Sequence, residues 1–172
     1  MKVNLGCGSD ILPGYINVDS AALPGVDIVH NLAERPWPLA DSSTDEVKMI
    51  HVLEHLPDTI GTIEELHRIC KPGSMVRIRV PYYNSPAMFA DPTHCSFFSE
   101  RTLHFFDPRR SECKKRPYYS TARFEVTLRT VYCRFIVVFI PVRIPVLNRL
   151  LLWLSGRIAG IVWVIEFELK AV

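Results

Sequence analysis

The stretch that decides the fold runs from Lys2 to Ser20 and reads KVNLGCGSDILPGYINVDS. It holds two short apolar runs, a turn with glycines at positions 6 and 8, and Asp19 at the end of the second run. A glycine turn directly after a buried strand lets backbone N–H groups approach a ligand at the carboxyl edge of a sheet. An acid at the position of Asp19 accepts the hydroxyls of a ribose in nucleotide-binding α/β folds. By itself the pattern fits a tight turn with a capping aspartate equally well, so the rest of the chain must decide.

The same turn excludes two common phosphate-binding loops. A dinucleotide fingerprint needs a third glycine where Ile11 stands, which disfavours a nicotinamide-dependent oxidoreductase. A Walker-type loop needs a GKS or GKT triplet, and the chain contains neither. The turn therefore suits a ligand that carries no pyrophosphate.

Apolar periodicity and helix breakers predict an alternating α/β chain. Asp58 is expected to cap a helix over 59–70, which the KPG sequence at 71–73 ends. Ser99 is expected to cap a short helix that runs to Phe106. Strands that alternate with helical or loop segments favour an α/β sheet whose first five strands are parallel. The predicted strands cover 2–5, 15–18, 27–30, 46–52, 74–80, 123–133 and 165–172.

Length and composition predict a single domain over residues 1–172. Residues 1–100 carry a net charge of −6 and residues 101–172 a net charge of +8. The C-terminal part is therefore expected either to meet an anionic partner or to present a basic solvated face. Five cysteines without a CxxC pair, and no recognisable signal peptide, predict a reducing, cytoplasmic setting.

Several longer segments occur in a fixed order with workable spacing. They are VNLGCGS at 3–9, INVD at 16–19, LADSSTDEVKMIHVLEHL at 39–56 and LHRICKPGSMVRIRVP at 66–81. Together they resemble the class I S-adenosylmethionine-dependent methyltransferases. The DPTHCSFFSERTLHFF stretch at 91–106 is similar to that of a short-chain, type 11-like subgroup of the family. The resemblance covers residues 2–106, which would form the cofactor-binding core, and it implies a reduced Rossmann-like sheet, mostly parallel with an antiparallel C-terminal strand.

The resemblance also implies S-adenosyl-L-methionine as the cofactor. In the family the glycine loop lies against the methionine part, an acid at Asp19 holds the ribose, and the two residues after the third strand contact adenine. An aspartate is common where Asn31 stands, and the residue at His51 lies near the donor methyl group, although a plain strand-end histidine is the alternative. The implied cofactor residues are Gly6, Cys7, Gly8, Asp19, Asn31, Leu32 and His51.

The chain departs from the family between these motifs. Pro13 and Gly14 lie in the short stretch before Asp19, and Pro24 lies in the next connection, so full helices do not fit there. Helices on one face of the sheet are therefore expected to be shortened. We expect the bared face to be apolar, and another element to cover it.

The apolar segment 135–165 is the candidate for this cover. Three arginines interrupt it, so it lacks the roughly 20 apolar residues that a membrane span requires. Prolines at 141 and 145 predict a helix only from Val146 onward, with a wide apolar face and a narrow polar stripe. It would cover the sheet, form a homodimer interface, or lie in a membrane surface with Trp153 and Trp163 at the headgroups; protein cover is favoured. The predicted polar stripe comprises Asn148, Arg149, Ser155, Gly156 and Arg157.

Methyl transfer to a hydroxyl or amine requires a group that removes the acceptor proton. His55, His94 and Asp91 are the candidate catalytic residues, with imidazole suited to neutral pH. Alternatively, Asp91 and His94 only tie their loop together. The acceptor is expected between the His94 loop and the C-terminal segment.

A second chemical hypothesis is a metal site. His51, Glu54, His55 and His94 could converge on a nitrogen-preferring divalent cation, as in small-RNA and quinone methyltransferases that carry a similar acid-and-histidine patch. The HVLEH sequence is also common in metal-free relatives, so the sequence favours no metal.

The sequence leaves the acceptor open among a small molecule, a glycan and a lipid-like compound. No platform of aromatic and basic residues is evident, which disfavours nucleic acid. The alternative function is a non-catalytic scaffold that docks to a membrane or a partner through 135–165. On that alternative the protein, although cytoplasmic, would be membrane-associated.

Overall fold

The computed structural model describes residues 1–135 and 138–172. Within them a single sheet carries eight strands in the order β3-β2-β1-β4-β5-β8-β6-β7. The strands are β1 (Lys2–Leu5), β2 (Ile16–Asp19), β3 (Ile28–Val29), β4 (Thr44–Ile50), β5 (Cys70–Pro81), β6 (Phe124–Phe135), β7 (Val138–Val142) and β8 (Val162–Ala171). The α-helices are α1 (Thr59–Ile69), α2 (Pro86–Ala90), α3 (Ser111–Lys115) and α4 (Pro145–Ser155). Short 3-10 helices lie at Leu53–His55, Thr102–Phe106 and Pro117–Tyr119.

The topology confirms the predicted fold class. Strands β1 to β5 pair in parallel, whereas β8 pairs antiparallel with both β5 and β6, and β7 pairs antiparallel with β6. Because the first five strands are parallel, their carboxyl ends meet at one edge of the sheet, where ligands bind in open α/β sheets.

Most helix and strand limits lie within two residues of the predicted ones, and a few differ more. Strand β8 begins at Val162 instead of position 165, and the short helix that ends at Phe106 begins at Thr102, with Arg101 and not Ser99 as its N-cap. Asp58 caps α1, and its Oδ1 accepts from the Gly61 N–H at 2.9 Å. Strand β5 begins at Cys70 instead of Ser74, because residues 71–74 form a bulge between the Thr44–Cys70 and Glu46–Met75 pairs. Strand β7, at the edge of the sheet, was not predicted.

One face of the sheet is apolar and forms the core. Side chains such as Val3, Val47, Ile78 and Phe167 alternate along β1, β4, β5 and β8 and are fully buried. Helix α1 packs on them through its own buried residues, which belong to the same cluster. This face has the helix cover that a parallel sheet normally needs.

The opposite face is polar, which corrects the expectation of an apolar patch. Neither 6–15 nor 20–27, both fully described, contains a helix, as the shortened connections predict. The residues that alternate with the core side chains are charged and pair across strands. Lys2 lies 3.0 Å from Glu46, and Arg79 lies 2.6 Å from Glu166. This face needs no apolar cover because its charged side chains pair with one another, and many of them are partly exposed to solvent.

Helix α4 contradicts part of the predicted polar stripe, because only Arg149, Gly156 and Arg157 of its five residues are exposed. Asn148 and Ser155, which the sequence assigns to the solvated stripe, are buried together with Leu151. The Ser155 hydroxyl accepts from the Val162 N–H at 2.9 Å, and the Ser155 carbonyl accepts from Asn84 Nδ2 at 2.6 Å. The Ser155 hydroxyl is thus held inward by the Val162 N–H. Exposed apolar residues then form the α4 surface, namely Ile144, Val146, Leu147, Leu150, Trp153 and Ile158.

No helix among the described residues is long and apolar enough to cross a bilayer.

Candidate functional site

A groove of about 310 Å³ opens at the carboxyl ends of the parallel strands. Five of the seven predicted cofactor residues line it, and so does the predicted catalytic residue His55. The remaining two, Cys7 and Gly8, lie beside it in the glycine turn. The described lining residues are Gly6, Asp19, Ser20, His30, Asn31, Leu32, Ala33, His51, Val52, His55 and Leu56.

The glycine turn is closed by bonds to the second strand. Gly6 has a φ of 64°, and its N–H donates to the Val18 carbonyl at 2.8 Å. A Cβ added at Gly6 would lie 2.3 Å from the Val52 side chain, so any other residue would push into the groove wall. The backbone can approach a ligand here only because the position is glycine.

Cys7 and Gly8 complete the turn. The Cys7 side chain is buried, and burial together with the nearby Asp19 charge raises the pKa of its thiol. Cys7 is therefore a neutral packing residue. The Gly8 N–H donates to Asp19 Oδ2 at 2.7 Å, which links the turn to the acid.

Asp19 is held in one orientation at the end of β2. Its Oδ1 accepts from the Ala21 N–H at 2.9 Å, while Oδ2 accepts from Gly8. Each carboxylate oxygen can accept two hydrogen bonds, so both keep capacity for a ligand hydroxyl. The residue lines the groove, which fits a ribose whose two hydroxyls reach the two oxygens.

Asn31 is engaged in its own turn. Its Nδ2 donates to Glu34 Oε1 at 3.0 Å, and its Oδ1 accepts from the Ala33 N–H at 3.1 Å. The adjacent Leu32 is buried, and its carbonyl accepts from the Trp37 indole at 3.0 Å. This end of the groove therefore offers a rigid apolar wall, suited to a flat base, beside an amide that is already bonded.

His51 begins the loop after β4 in the left-handed backbone region, with a φ of 57°. Its Nδ1 lies 3.1 Å from Oε1 of Glu54, which is fully buried. The three-residue spacing across a tight turn brings the imidazole and the carboxylate together and fixes the ring. His51 also lines a second cavity of about 360 Å³, together with Arg79, Ala87, Tyr132 and Val164. It therefore stands between the groove and this cavity.

The predicted catalytic residues lie close together. The His55 and His94 rings have centroids 4.7 Å apart. Asp91 reaches them indirectly, because its Oδ1 accepts from the Thr93 hydroxyl at 2.6 Å, and that hydroxyl lies 2.8 Å from His55 Nδ1. The Thr93 bonds lower the pKa of Asp91, which weakens it as a base. Asp91 is thus connected to His55 through Thr93.

Sequence reasoning missed part of the lining. Ser20, His30 and Val52 line the groove because they lie at or just beyond strand ends. That position is itself a usable signal, since ligands meet the carboxyl edge of a parallel sheet. Thr93 was missed because its role depends on a contact with His55, thirty-eight residues away in the chain.

The sequence profile described as "Methyltransferase domain" matches residues 3–105, which is more than half of the chain. The chain belongs to this methyltransferase-domain family. The match covers the groove, the glycine turn, Asp19 and both histidines predicted to be catalytic. Membership of this family implies S-adenosyl-L-methionine as the cofactor and confirms the predicted family.

Relatives and solved structures agree with this assignment. A Mycolicibacterium smegmatis protein named as a probable S-adenosylmethionine-dependent methyltransferase is 42% identical over 62 residues, 36% of this chain and 23% of the relative. A Staphylococcus epidermidis demethylmenaquinone methyltransferase is 37% identical over 57 residues, 33% of this chain and 23% of the relative. The chain thus spans about a quarter of these curated relatives. An Archaeoglobus fulgidus SAM-dependent methyltransferase structure has the same fold, with a TM-score of 0.65, 19% identity, and coverage of 98% of this chain and 85% of the other.

Proposed function

We propose that this protein transfers a methyl group from S-adenosyl-L-methionine to a hydroxyl or amine of a small acceptor. One observation carries the proposal. Asp19, fixed by the Gly8 N–H, faces a groove whose backbone floor can approach a ligand only because position 6 is glycine. A carboxylate beside bare backbone matches a ligand with a ribose and an amino-acid tail. The bound cofactor supplies an electrophilic methyl group on a sulfonium.

The chain holds this ligand in three places. Asp19 accepts the ribose hydroxyls, and the backbone of Gly6, Cys7 and Gly8 lies along the amino-acid part. The apolar wall at Leu32 packs on the base. Alignment of the donor methyl group with the acceptor supplies much of the acceleration, because the donor is already activated. His51 closes the groove on the side of the second cavity, which we assign to the acceptor.

His55 and His94 take the acceptor proton in this proposal. The His94 Nδ1 donates to the Met88 carbonyl, and the His55 Nδ1 donates to the Thr93 hydroxyl, so each neutral ring keeps a lone pair on Nε2. In this step the bond between sulfur and the methyl carbon breaks and an O–C or N–C bond to the acceptor forms. The sulfonium becomes a neutral thioether, and the acceptor proton passes to an imidazole. Asp91 is a positioning residue for His55.

The acceptor is a small molecule, a glycan or a lipid-like compound, and nucleic acid remains disfavoured. We assign the acceptor to this second cavity, which is lined by Ala87 of α2, by Tyr132 of β6 and by Val164 of β8. Its largely apolar lining favours the lipid-like class. A relative is named for demethylmenaquinone, and such an acceptor would belong to this class.

Calorimetry with S-adenosylhomocysteine tests the cofactor site. Wild type is expected to bind with heat, and Asp19→Ala to weaken binding by about 10- to 100-fold, since two charge-assisted hydrogen bonds are lost. Asp10→Ala is the matched control, because this exposed carboxylate belongs to the same loop but not to the groove lining. No heat from wild type, or equal affinity for Asp19→Ala and wild type, would contradict the proposal.

A second candidate function, docking to a membrane, is favoured by the α4 surface. Val146 and Trp153 are 78% and 54% exposed, and arginines 143, 149 and 157 are exposed beside them. An apolar face with flanking cations is typical of an interfacial helix.

Sedimentation with anionic phospholipid vesicles tests this docking. Wild type is expected to sediment with the vesicles. The double variant Leu150→Ser with Trp153→Ser is expected to stay in solution, whereas the control Ile60→Ser on α1 is expected to sediment as wild type does. A wild type that stays in the supernatant would exclude docking, and a concentration-dependent dimer would assign the α4 surface to a second copy.

A further inference from the structure

Glu54, His55 and His94 form a compact cluster of potential metal ligands beside the groove. A carboxylate oxygen of Glu54 and one ring nitrogen from each histidine lie within 4.8 Å of one another. Glu54 and His55 come from the short helix Leu53–His55 after β4, whereas His94 comes from the loop after β5 and α2. A short helix and a separate loop therefore bring these three ligand atoms together.

Both imidazoles are oriented to present Nε2. A carbonyl can only accept, so the Met88 oxygen at 2.9 Å requires a proton on Nδ1 of His94. Thr93 gives its own proton to Asp91, so its oxygen accepts from Nδ1 of His55. Metal-binding histidines are typically fixed in this way, with the second ring nitrogen donating to an oxygen. The nitrogens left over are neutral lone-pair donors.

Glu54 provides an independent observation. Its side chain is fully buried, and one oxygen is bonded to His51. The other oxygen, Oε2, has no hydrogen-bond partner among the described residues. A buried carboxylate oxygen without a partner is costly, and a bound cation offsets that cost. The sequence alone could not show this, since HVLEH is shared with metal-free relatives.

We infer that Glu54, His55 and His94 bind a divalent cation that prefers nitrogen ligands, with Zn²⁺ as the best match. Two imidazoles and one carboxylate with an open position are a typical donor set for zinc, whereas Mg²⁺ prefers six oxygens. His51 lies outside this set of ligands and orients Glu54. The metal site predicted from the sequence with four residues is therefore narrowed to three.

This inference rests on the proposed function and deepens it. Positive charge beside the groove favours the ionised form of a hydroxyl acceptor, whose proton then passes to solvent. The two histidines act in that case as ligands, so the acceptor class narrows to compounds that offer an oxygen to a cation.

The test is a zinc titration of the full chain after removal of metals with a chelator and dialysis, followed by calorimetry and elemental mass spectrometry. We expect wild type to take up about one zinc ion per chain. Glu54→Gln and His94→Gln are expected to lower the affinity at least tenfold. His67→Gln on α1 and Cys95→Ser, which removes an exposed thiol near the Glu54 carbonyl, should bind as wild type. Binding of S-adenosylhomocysteine by each variant shows that it is folded.

Three results would overturn the site. They are no zinc uptake by wild type, uptake unaffected by both Glu54→Gln and His94→Gln, and uptake lost only in Cys95→Ser. Zinc uptake and cofactor binding are measured separately, so the two proposals fail independently. A protein that binds S-adenosylhomocysteine but no zinc keeps the histidine pair as proton acceptors. A protein that binds zinc without the cofactor analogue loses the methyl-transfer proposal and keeps the metal site.

Discussion

The two faces of this sheet solve the same packing problem in opposite ways. On the apolar face, side chains from adjacent strands are buried under α1 and α4 in one core cluster. On the polar face, the short connections 6–15 and 20–27 bring no helix, and charged side chains pair across the strands instead. The polar face thus carries charged residues at many of the strand positions that alternate with the core. A parallel sheet can lose one layer of helices when its bared face is made polar.

The candidate site depends on the face of the sheet that has helix cover. The short helix with Glu54 and His55 follows β4, and the loop that carries His94 bonds back to the Glu54 carbonyl through the Cys95 N–H at 2.9 Å. The glycine turn and Asp19, by contrast, hold each other through the Gly8 bond and need no helix between them. A compact cofactor groove is therefore compatible with the missing helices, because its key groups are fixed by strand ends and by one another.

Strand β8 offers the sharpest comparison of the two faces, since three successive residues alternate between them. Phe167 is fully buried on the apolar face, opposite Ile78 of β5. Phe167→Ala is expected to lower the free energy of unfolding by about 3–5 kcal/mol, because it removes buried apolar surface and leaves a cavity. Urea denaturation followed by circular dichroism measures this. A loss below about 1 kcal/mol would mean that the apolar face does not carry the core.

Much of the fold could be predicted from the sequence. The ordered motifs predict the family, the parallel strands and α1, because each rests on local periodicity or on a cap such as Asp58. The polar face could also be predicted, since VRIRV at 76–80 and EFELK at 166–170 alternate strictly, yet the shortened helices alone suggested an apolar patch. Strand alternation is the stronger signal in such a case.

Other features depend on contacts that no local pattern reveals. Asn148 and Ser155 look like part of a solvated stripe, but both are buried, and the Ser155 hydroxyl accepts from the Val162 N–H. In the site, the motifs predict the groove residues one by one. Which ring nitrogen of His55 and of His94 carries the proton follows only from their bonding partners. Thr93 lies far from His55 in the chain, and Met88 meets His94 only through its backbone oxygen. Long-range hydrogen bonds are therefore what the sequence analysis could not supply.

Glu166 and Glu168 sharpen the comparison within the polar face. Glu166 is 2% exposed and accepts from Arg79 Nε at 2.9 Å, from Arg79 Nη2 at 2.6 Å and from the Tyr132 hydroxyl at 3.2 Å. Glu166→Ala is expected to cost about 2 kcal/mol, because Arg79, which donates two N–H groups to one Glu166 oxygen, loses its partner while remaining partly buried.

Glu168→Ala is the matched control, two residues along on the same face. Glu168 pairs with Arg129 and lies 3.9 Å from Arg77, but its side chain is 29% exposed, so water replaces these contacts at a cost below about 1 kcal/mol. The same urea series compares both variants with Phe167→Ala. Equal losses of unfolding free energy for the two glutamate variants would show that burial does not determine the strength of ion pairs on the polar face. A loss at Glu166 as large as that at Phe167 would show that the polar face is a second core.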